Sequence, residues 1–177
     1  NRLAQAAVIQ TTARSILEEG LAYDRCLVGV VTDMQGWESL ADHDVQDISH
    51  MRRVLRTQID VVLDEGAGVL NADDERVAEL ASLCDGEVLL YSLHANNATI
   101  AAHRNEKNGR AVFLLDGRVV LAQGSKERVL GQLSALPLAS GTAPDTASLL
   151  AAIATAWALD IAPDLIAAGI KTFEYQR

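Results

Sequence analysis

Apolar and polar positions divide the chain into short apolar runs and longer stretches with helical spacing. The apolar runs have the length of strands and lie at residues 6–9, 26–31, 69–70 and 87–92. Between them, apolar residues recur every three or four positions, which is typical of helices with one buried face. Because the run 26–31 is apolar almost without interruption, it is expected in a parallel sheet covered on both faces. The pattern predicts an α/β fold with a layered, mostly parallel sheet flanked by helices.

End signals delimit the predicted helices. Gly20 is a favourable residue just past a helix that contains Ile16 and Leu17. Asp44 is expected to cap a helix that runs to about Glu65, with its apolar residues on one face. Later helices are predicted at residues 75–84, 97–103, 145–159 and 163–168.

A small antiparallel hairpin is predicted in the second half of the chain. Asp116 and Gly117 lie between two apolar runs, at residues 111–115 and 119–121, and Asp-Gly favours a tight hairpin turn. Residues 128–130 are expected to pair with this hairpin. No low-complexity linker divides the chain, so we expect residues 1–177 to form a single unit.

The run from Val69 to Asp74 combines the local signals of a strand, a turn and a helix start. Val69 and Leu70 are apolar and too few for a helix, whereas Asn71 to Asp74 supply side chains that form turns and cap helices. The run therefore predicts a strand, a tight turn and a helix in direct succession. Asp73 or Asp74 is expected to be the helix N-cap, and chemistry at these carboxylates is the alternative.

Composition excludes several classes of function. The chain has a formal net charge of −9 and a pI near 4.8, and no cluster of Lys and Arg is long enough to follow a phosphate backbone. We therefore expect no nucleic-acid partner. No apolar stretch reaches the roughly 18 residues of a membrane span, so no membrane partner is expected either. The anionic surface fits a cytoplasmic protein, and neither the cysteines nor the histidines show the spacing of a metal site.

Several segments, in order along the chain, carry a resemblance to a known family. Residues 7–10, 16–26, 30–33 and 70–74 resemble the central domain of the Mur ligases, in particular the Mur-like carboxy-terminal half of cyanophycin synthetases. Further similar segments lie at residues 102–103, 109–113, 116–117, 149–154 and 166–173. The resemblance implies an ATP- and magnesium-dependent ligase that phosphorylates a carboxylate and lets an amine displace the phosphate. In cyanophycin synthetases this half adds arginine to a polyaspartate backbone, which makes that polymer an implied partner.

Positions that carry chemistry in the family are substituted here. The phosphate-binding loop, Gly-x-x-x-x-Gly-Lys-Ser/Thr, does not occur in this sequence and would precede residue 1; we also expect the family's C-terminal domain to be missing. By the resemblance, the metal positions fall on Gln10 and Glu38, the carbamylated lysine on Arg52, and the adenine-contacting Asn on Ser148. Gln10 is neutral, and a permanently charged arginine cannot be carbamylated. The family's Arg-Gly-Gly segment reads Ala13-Arg14-Ser15.

Two hypotheses for function remain open. The substitutions favour a degenerate Mur-like module that binds no ATP or magnesium by itself and serves in structure, assembly or polymer binding. Its partners would be the rest of a longer synthetase or further copies of the chain. The alternative is a segment of an ATP-dependent amide ligase that regains nucleotide binding once the preceding part is attached. A dinucleotide-binding enzyme is not supported, because no Gly-x-Gly-x-x-Gly follows any strand.

Overall fold

The fold is a six-stranded sheet with helices on both faces. The computed structural model describes residues 6–133 and 145–172. The strands are β1 (Cys26–Val31), β2 (Val62–Asn71), β3 (Glu87–Ser92), β4 (Arg110–Leu115), β5 (Arg118–Gln123) and β6 (Lys126–Gln132). The helices are α1 (Ala13–Glu19), α2 (Ile48–Leu55), α3 (Thr57–Asp60), α4 (Glu75–Ala78), α5 (Ala98–Lys107), α6 (Thr146–Ala158) and α7 (Pro163–Lys171). Two 3₁₀ segments lie at Trp37–His43 and Glu79–Leu83.

The order of strands in the sheet follows their order in the chain. Strands β1 to β4 run parallel, whereas β5 and β6 each pair antiparallel with the strand before them. Because crossovers between parallel strands are right-handed, a sheet built in sequential order carries its crossover helices on one face. Helices α2 to α5 lie on that face together with α1, and α6 and α7 cover the other.

Two apolar layers, one on each face of the sheet, form the core. Leu70 and Leu90 point into the layer beneath the crossover helices. Their chain neighbours Val69 and Leu89 point into the other layer, where they meet Leu150 of α6. Successive side chains of a strand face opposite sides, so the short apolar runs of the sequence supply both layers at once.

The predicted fold class is confirmed, and most elements lie where the pattern places them. Strands β1 and β3 match the predicted runs residue for residue, and the Asp116-Gly117 hairpin with its added strand β6 is present. Gly20 ends α1 with φ 77°, a left-handed conformation that glycine adopts without strain. Asn97 and Asp145 are the N-caps of α5 and α6.

The predicted helix from Asp44 to Glu65 is wrong at both ends. Asp44 has φ 59° and follows the 3₁₀ segment, while Asp47 caps α2 by accepting the N–H groups of the next turn. Helical structure ends at Asp60, and Val62 is the first residue of β2, paired with β1. Val62 is fully buried as its position predicted, but pairing with β1 overrides the helical spacing of the local sequence.

The strand predicted at residues 6–9 is also wrong. These residues form no strand, and Val8 exposes 93% of its surface. Among the described residues, β1 pairs only with β2 and forms the edge of the sheet. An apolar run becomes a strand only where a neighbouring strand takes up its N–H and C=O groups, and residues 6–9 have no such neighbour in the part of the chain described.

Arg110 ties three elements together at the amino end of the parallel strands. Its Nε and Nη2 donate to the two carboxylate oxygens of Glu87 on β3, at 2.9 and 2.5 Å. Its Nη1 donates to the carbonyl of Trp157 on α6 at 2.8 Å, and the guanidinium carbon lies 5.3 Å from the centre of the Trp157 ring. The Arg110 side chain is only 11% exposed, whereas its partner Glu87 remains 43% exposed.

We expect Arg110→Met to lower the free energy of unfolding by about 2 kcal/mol, measured by urea denaturation. The variant leaves the Trp157 carbonyl and the Glu87 carboxylate without their donor. The loss is smaller than for a fully buried pair because Glu87 is 43% exposed and can be hydrated again. Arg118→Met is the matched control, since Arg118 approaches Asp116 only to 3.6 Å. Its expected loss is below about 0.5 kcal/mol, and equal losses in the two variants would contradict the assigned role.

Candidate functional site

The carboxyl ends of the parallel strands meet at one edge of the sheet, where ligands of open α/β sheets generally bind. The turns that leave this edge begin at Thr32 after β1, at Ala72 after β2 and at Leu93 after β3. Asn71 joins the first two turns, because its Nδ2 donates to the Thr32 carbonyl at 3.0 Å and its Oδ1 accepts the N–H of Asp73 at 3.0 Å. Of the two residues expected to cap the helix after β2, Asp73 and Asp74, it is Asp74 that is the N-cap of α4.

Asp73 joins the turn after β2 to the turn after β3. Its Oδ1 accepts hydrogen bonds from Ser92 Oγ at 2.5 Å and from Asn97 Nδ2 at 3.1 Å, and its Oδ2 accepts the N–H of Leu93 at 2.7 Å. Ser92 is completely buried and belongs to β3. Both oxygens of Asp73 are therefore engaged in holding the edge together.

Tyr91, near the carboxyl end of β3, has a perturbed phenol pKa. Burial raises the pKa of its phenol well above the ordinary value, and the carboxylates of Asp33, Asp145 and Asp73 raise it further. These carboxylates come from the turn after β1, the N-cap of α6 and the turn after β2. Three separate segments thus each bring a carboxylate near the buried Tyr91 phenol.

Two of the four sequence-predicted site residues lie exposed and apart from this network. Gln10 precedes α1 outside any helix or strand, and Glu38 lies in the first turn of the 3₁₀ segment Trp37–His43. Neither makes a side-chain hydrogen bond or ion pair within the described residues. The structure therefore does not join them into one site.

Ser148 and Arg52 lie on helices that begin near the carboxyl edge. Ser148 of α6 donates its backbone N–H to Asp145 at 2.7 Å, and this hydrogen bond lowers the pKa of the Asp145 carboxyl. Arg52 of α2 extends its Nε to within 3.7 Å of Glu79. Among residues 6–133 and 145–172, no hydrogen bond or ion pair joins any two of the four predicted site residues.

The donor set at these positions does not fit a magnesium site. Magnesium prefers oxygen ligands with negative charge, but Gln10 is neutral and Arg52 brings a positive charge. Only Glu38 carries a carboxylate. In the described ranges, no three or more His, Cys, Asp or Glu side chains are grouped so that they could hold a metal ion.

Arg14, at a position where the resemblance places glycine, is held firmly by its neighbours. Its Nη1 donates to Asp42 at 2.9 Å and to Glu18 at 3.3 Å, and its Nη2 donates to the Ser39 carbonyl at 2.7 Å. The side chain thus joins α1 to the 3₁₀ segment that follows β1. A glycine would let a ligand approach the backbone closely, whereas the Arg14 side chain is engaged by Glu18, Asp42 and the Ser39 carbonyl.

A cleft between α2 and the segment that starts at α4 was not singled out by the linear sequence. We call it the arginine cleft; it encloses about 480 Å³ and is lined by Ile48, Ser49, His50, Arg52, Arg53, Arg76 and Glu79. The available signal was the Arg52-Arg53 pair in a helix, but Arg76 lies beyond the intervening strand. Only the tertiary structure brings Arg76 to the same cleft as the two arginines of α2.

The sheet, its two helical layers and the Asn-Ala-Asp-Asp turn after β2 define a Mur-ligase-like α/β unit. In an alignment of 175 residues that covers 96% of the chain, it is 33% identical to a cyanophycin synthetase of Synechocystis sp.. It is 31% identical to that of Crocosphaera subtropica and 28% identical to that of Nostoc sp., again over 96% of its length. The chain spans only 19 to 20% of these relatives. It is thus related to one segment of an ATP-dependent ligase.

No protein-family model matches the chain. Among the helices in the described part of the chain, none combines the length and the apolar character needed to cross a membrane.

Proposed function

We propose that this chain is a non-catalytic Mur-ligase-like module that binds neither ATP nor magnesium by itself. The proposal rests on the residues at the positions where the resemblance places the family's site. Gln10 and Glu38 are exposed and do not contact each other, and Arg52 stands where the family has a lysine. An arginine cannot form the carbamate that a neutral lysine amine forms. Arg14 supports the same conclusion, because it replaces a glycine and is held by three neighbours.

In this proposal the chain contributes structure or assembly to a longer synthetase-like protein or to an oligomer of its own copies. The similarity over 96% of the chain supports a retained scaffold, while the substituted positions support lost nucleotide chemistry. We place this role in the cytoplasm, consistent with the acidic composition.

Calorimetric titration of magnesium-ATP into the 177-residue chain tests the proposal. We expect no saturable heat at millimolar nucleotide and no rise in the thermal midpoint, because a ligand raises the midpoint only if it binds the folded state. Saturable binding that also raises the midpoint would overturn the proposal.

The second candidate function is ATP-dependent amide ligation, in which the intact protein adds arginine to polyaspartate. It is favoured by the small share of the relatives that the chain covers and by the carboxyl-edge turns held by Asn71 and Asp73. A longer protein that contains this segment should then bind magnesium-ATP although the isolated chain does not. Absence of binding in both proteins would exclude this candidate.

A further inference from the structure

The outer side of β1 is a sheet edge that can accept another strand. Among the described residues β1 pairs only with β2, so alternate residues of β1 direct their backbone N–H and C=O groups away from the sheet. We propose that this edge pairs in antiparallel orientation with the β1 edge of a second copy of the chain, which joins two six-stranded sheets into one. The inference rests on the assembly role in the proposed function and names the surface that performs it.

The two edges of the sheet differ in the features that prevent strand pairing. Edge strands are generally protected by charged side chains, by prolines or by a covering element. Strand β6 has three consecutive exposed charged residues, Lys126, Glu127 and Arg128. Strand β1 has no charged residue and no proline between Cys26 and Val31. Of the two edges, β1 is therefore the one whose sequence permits a further strand.

Leu27 is an exposed apolar side chain on this edge strand. It exposes 52% of its surface, and its neighbour Val28 is also partly exposed. A strand added to β1 would remove apolar surface from water and would provide partners for the outward backbone groups.

The charges that flank β1 favour a second copy as the partner. Arg25 precedes the strand and Asp33 follows it, and both residues are exposed. When two β1 strands pair antiparallel about Gly29, Arg25 of each copy lies opposite Asp33 of the other. Opposite charges that face each other across antiparallel strands are favourable. The edge is thus self-complementary, as a two-fold symmetric interface requires.

The same charges determine the register of the pairing. In the proposed register Gly29 lies at the two-fold axis, where it brings no side chain between the two strands. Moving the axis to Val28 would place Arg25 opposite Val31, and moving it to Val30 would place Asp33 opposite Leu27. Both shifts lose the two ion pairs, so the register centred on Gly29 is the favoured one.

Sedimentation velocity of the 177-residue chain over a range of concentrations tests the proposal. We expect a reversible dimer that Leu27→Lys weakens about tenfold, because a charged side chain within an edge strand opposes pairing. Val129→Lys is the matched control, since Val129 lies on the opposite edge strand and is also 52% exposed. It adds the same charge, and we expect it to change the dissociation constant less than about twofold.

Arg25→Asp tests the register. It turns two symmetric attractions into repulsions, so the dimer should weaken about tenfold at low salt and less at high salt. Adding Asp33→Arg to Arg25→Asp restores opposite charges, and the dissociation constant should return to within about twofold of the original value. Circular dichroism and thermal midpoints compare the fold of each variant with that of the unchanged chain.

A dimer that is weakened by Leu27→Lys and Arg25→Asp, and recovered by the added Asp33→Arg, supports the proposal. A chain that stays monomeric at submillimolar concentration would overturn it and leave the β1 edge to a strand of another polypeptide. Equal effects of Leu27→Lys and Val129→Lys would overturn it as well. None of these results depends on nucleotide binding, so the calorimetric test of the proposed function succeeds or fails separately.

Discussion

Leu150→Ala is expected to lower the free energy of unfolding by about 3 kcal/mol, which is a large part of the roughly 5 to 15 kcal/mol of a typical domain. Leu150 is fully buried on α6 and packs against Val69, Leu89 and Val112 of the central strands. Removing its side-chain carbons reduces the apolar surface that is buried on folding. It also leaves a cavity that the rigid sheet cannot close. The transition is measured by urea denaturation with circular dichroism.

Leu165→Ala is the matched control for this variant. Leu165 also lies in a helix, α7, but is 65% exposed, so the same chemical change should alter stability by less than about 0.5 kcal/mol. A loss of similar size in both variants would contradict the packing of α6 on the sheet. That packing is the basis for the second core layer.

Gly29→Ala is expected to lower the free energy of unfolding by about 3 kcal/mol for the opposite reason, overpacking. A Cβ at Gly29 on β1 would collide with the backbone carbonyl of Gln58 on α3 and would lie 2.8 Å from Val62 Cγ2. Its register partner Gly68 on β2 is also closely packed, since a Cβ there would lie 3.0 Å from Cys84 Sγ and 3.6 Å from Ile59 Cδ1. Backbone atoms cannot turn aside as a flexible side chain can.

Gly131→Ala provides the comparison, since Gly131 is also a strand glycine but, among the described residues, no heavy atom lies within 4 Å of the added Cβ. This variant should be neutral or more stable by about 0.5 kcal/mol, because alanine restricts the unfolded chain. If thermal and urea unfolding found Gly29→Ala as stable as Gly131→Ala, the close approach of α3 to β1 would be wrong.

The scaffold and the positions at which the resemblance implies substitutions are separate features of this chain. The Asp73 network joins two carboxyl-edge turns, and Arg14 and Arg52 make contacts within the protein where the resemblance places glycine and lysine. A fold can retain its layers when its site residues change, because function depends on a few side chains at the loops. The proposed loss of nucleotide binding therefore requires no loss of stability.

Sequence patterns predicted most of the elements, whereas the contacts of the candidate site residues followed only from the structure. Strands β1 and β3 and the caps Asn97 and Asp145 follow from local signals, namely apolar runs and capping side chains. The strand predicted at residues 6–9 and the long helix beyond Asp60 failed, because each depends on whether a strand from elsewhere pairs with the segment. Ser148 and Arg52 lie on helices, as predicted. Their contacts with Asp145 and Glu79 were identified only in the structure.

The sequence by itself determined the α/β class and the acidic composition, because these depend on residue content and on local periodicity. It also determined the turn from Asn71 to Asp74, whose capping chemistry is local. Only the tertiary structure decided that residues 6–9 stay outside the sheet and that Val62 begins a strand. Only the tertiary structure also brought Arg76 to the cleft lined by the arginines of α2. Strand β2 separates these residues in the chain, so their spacing in the sequence does not indicate that they are neighbours.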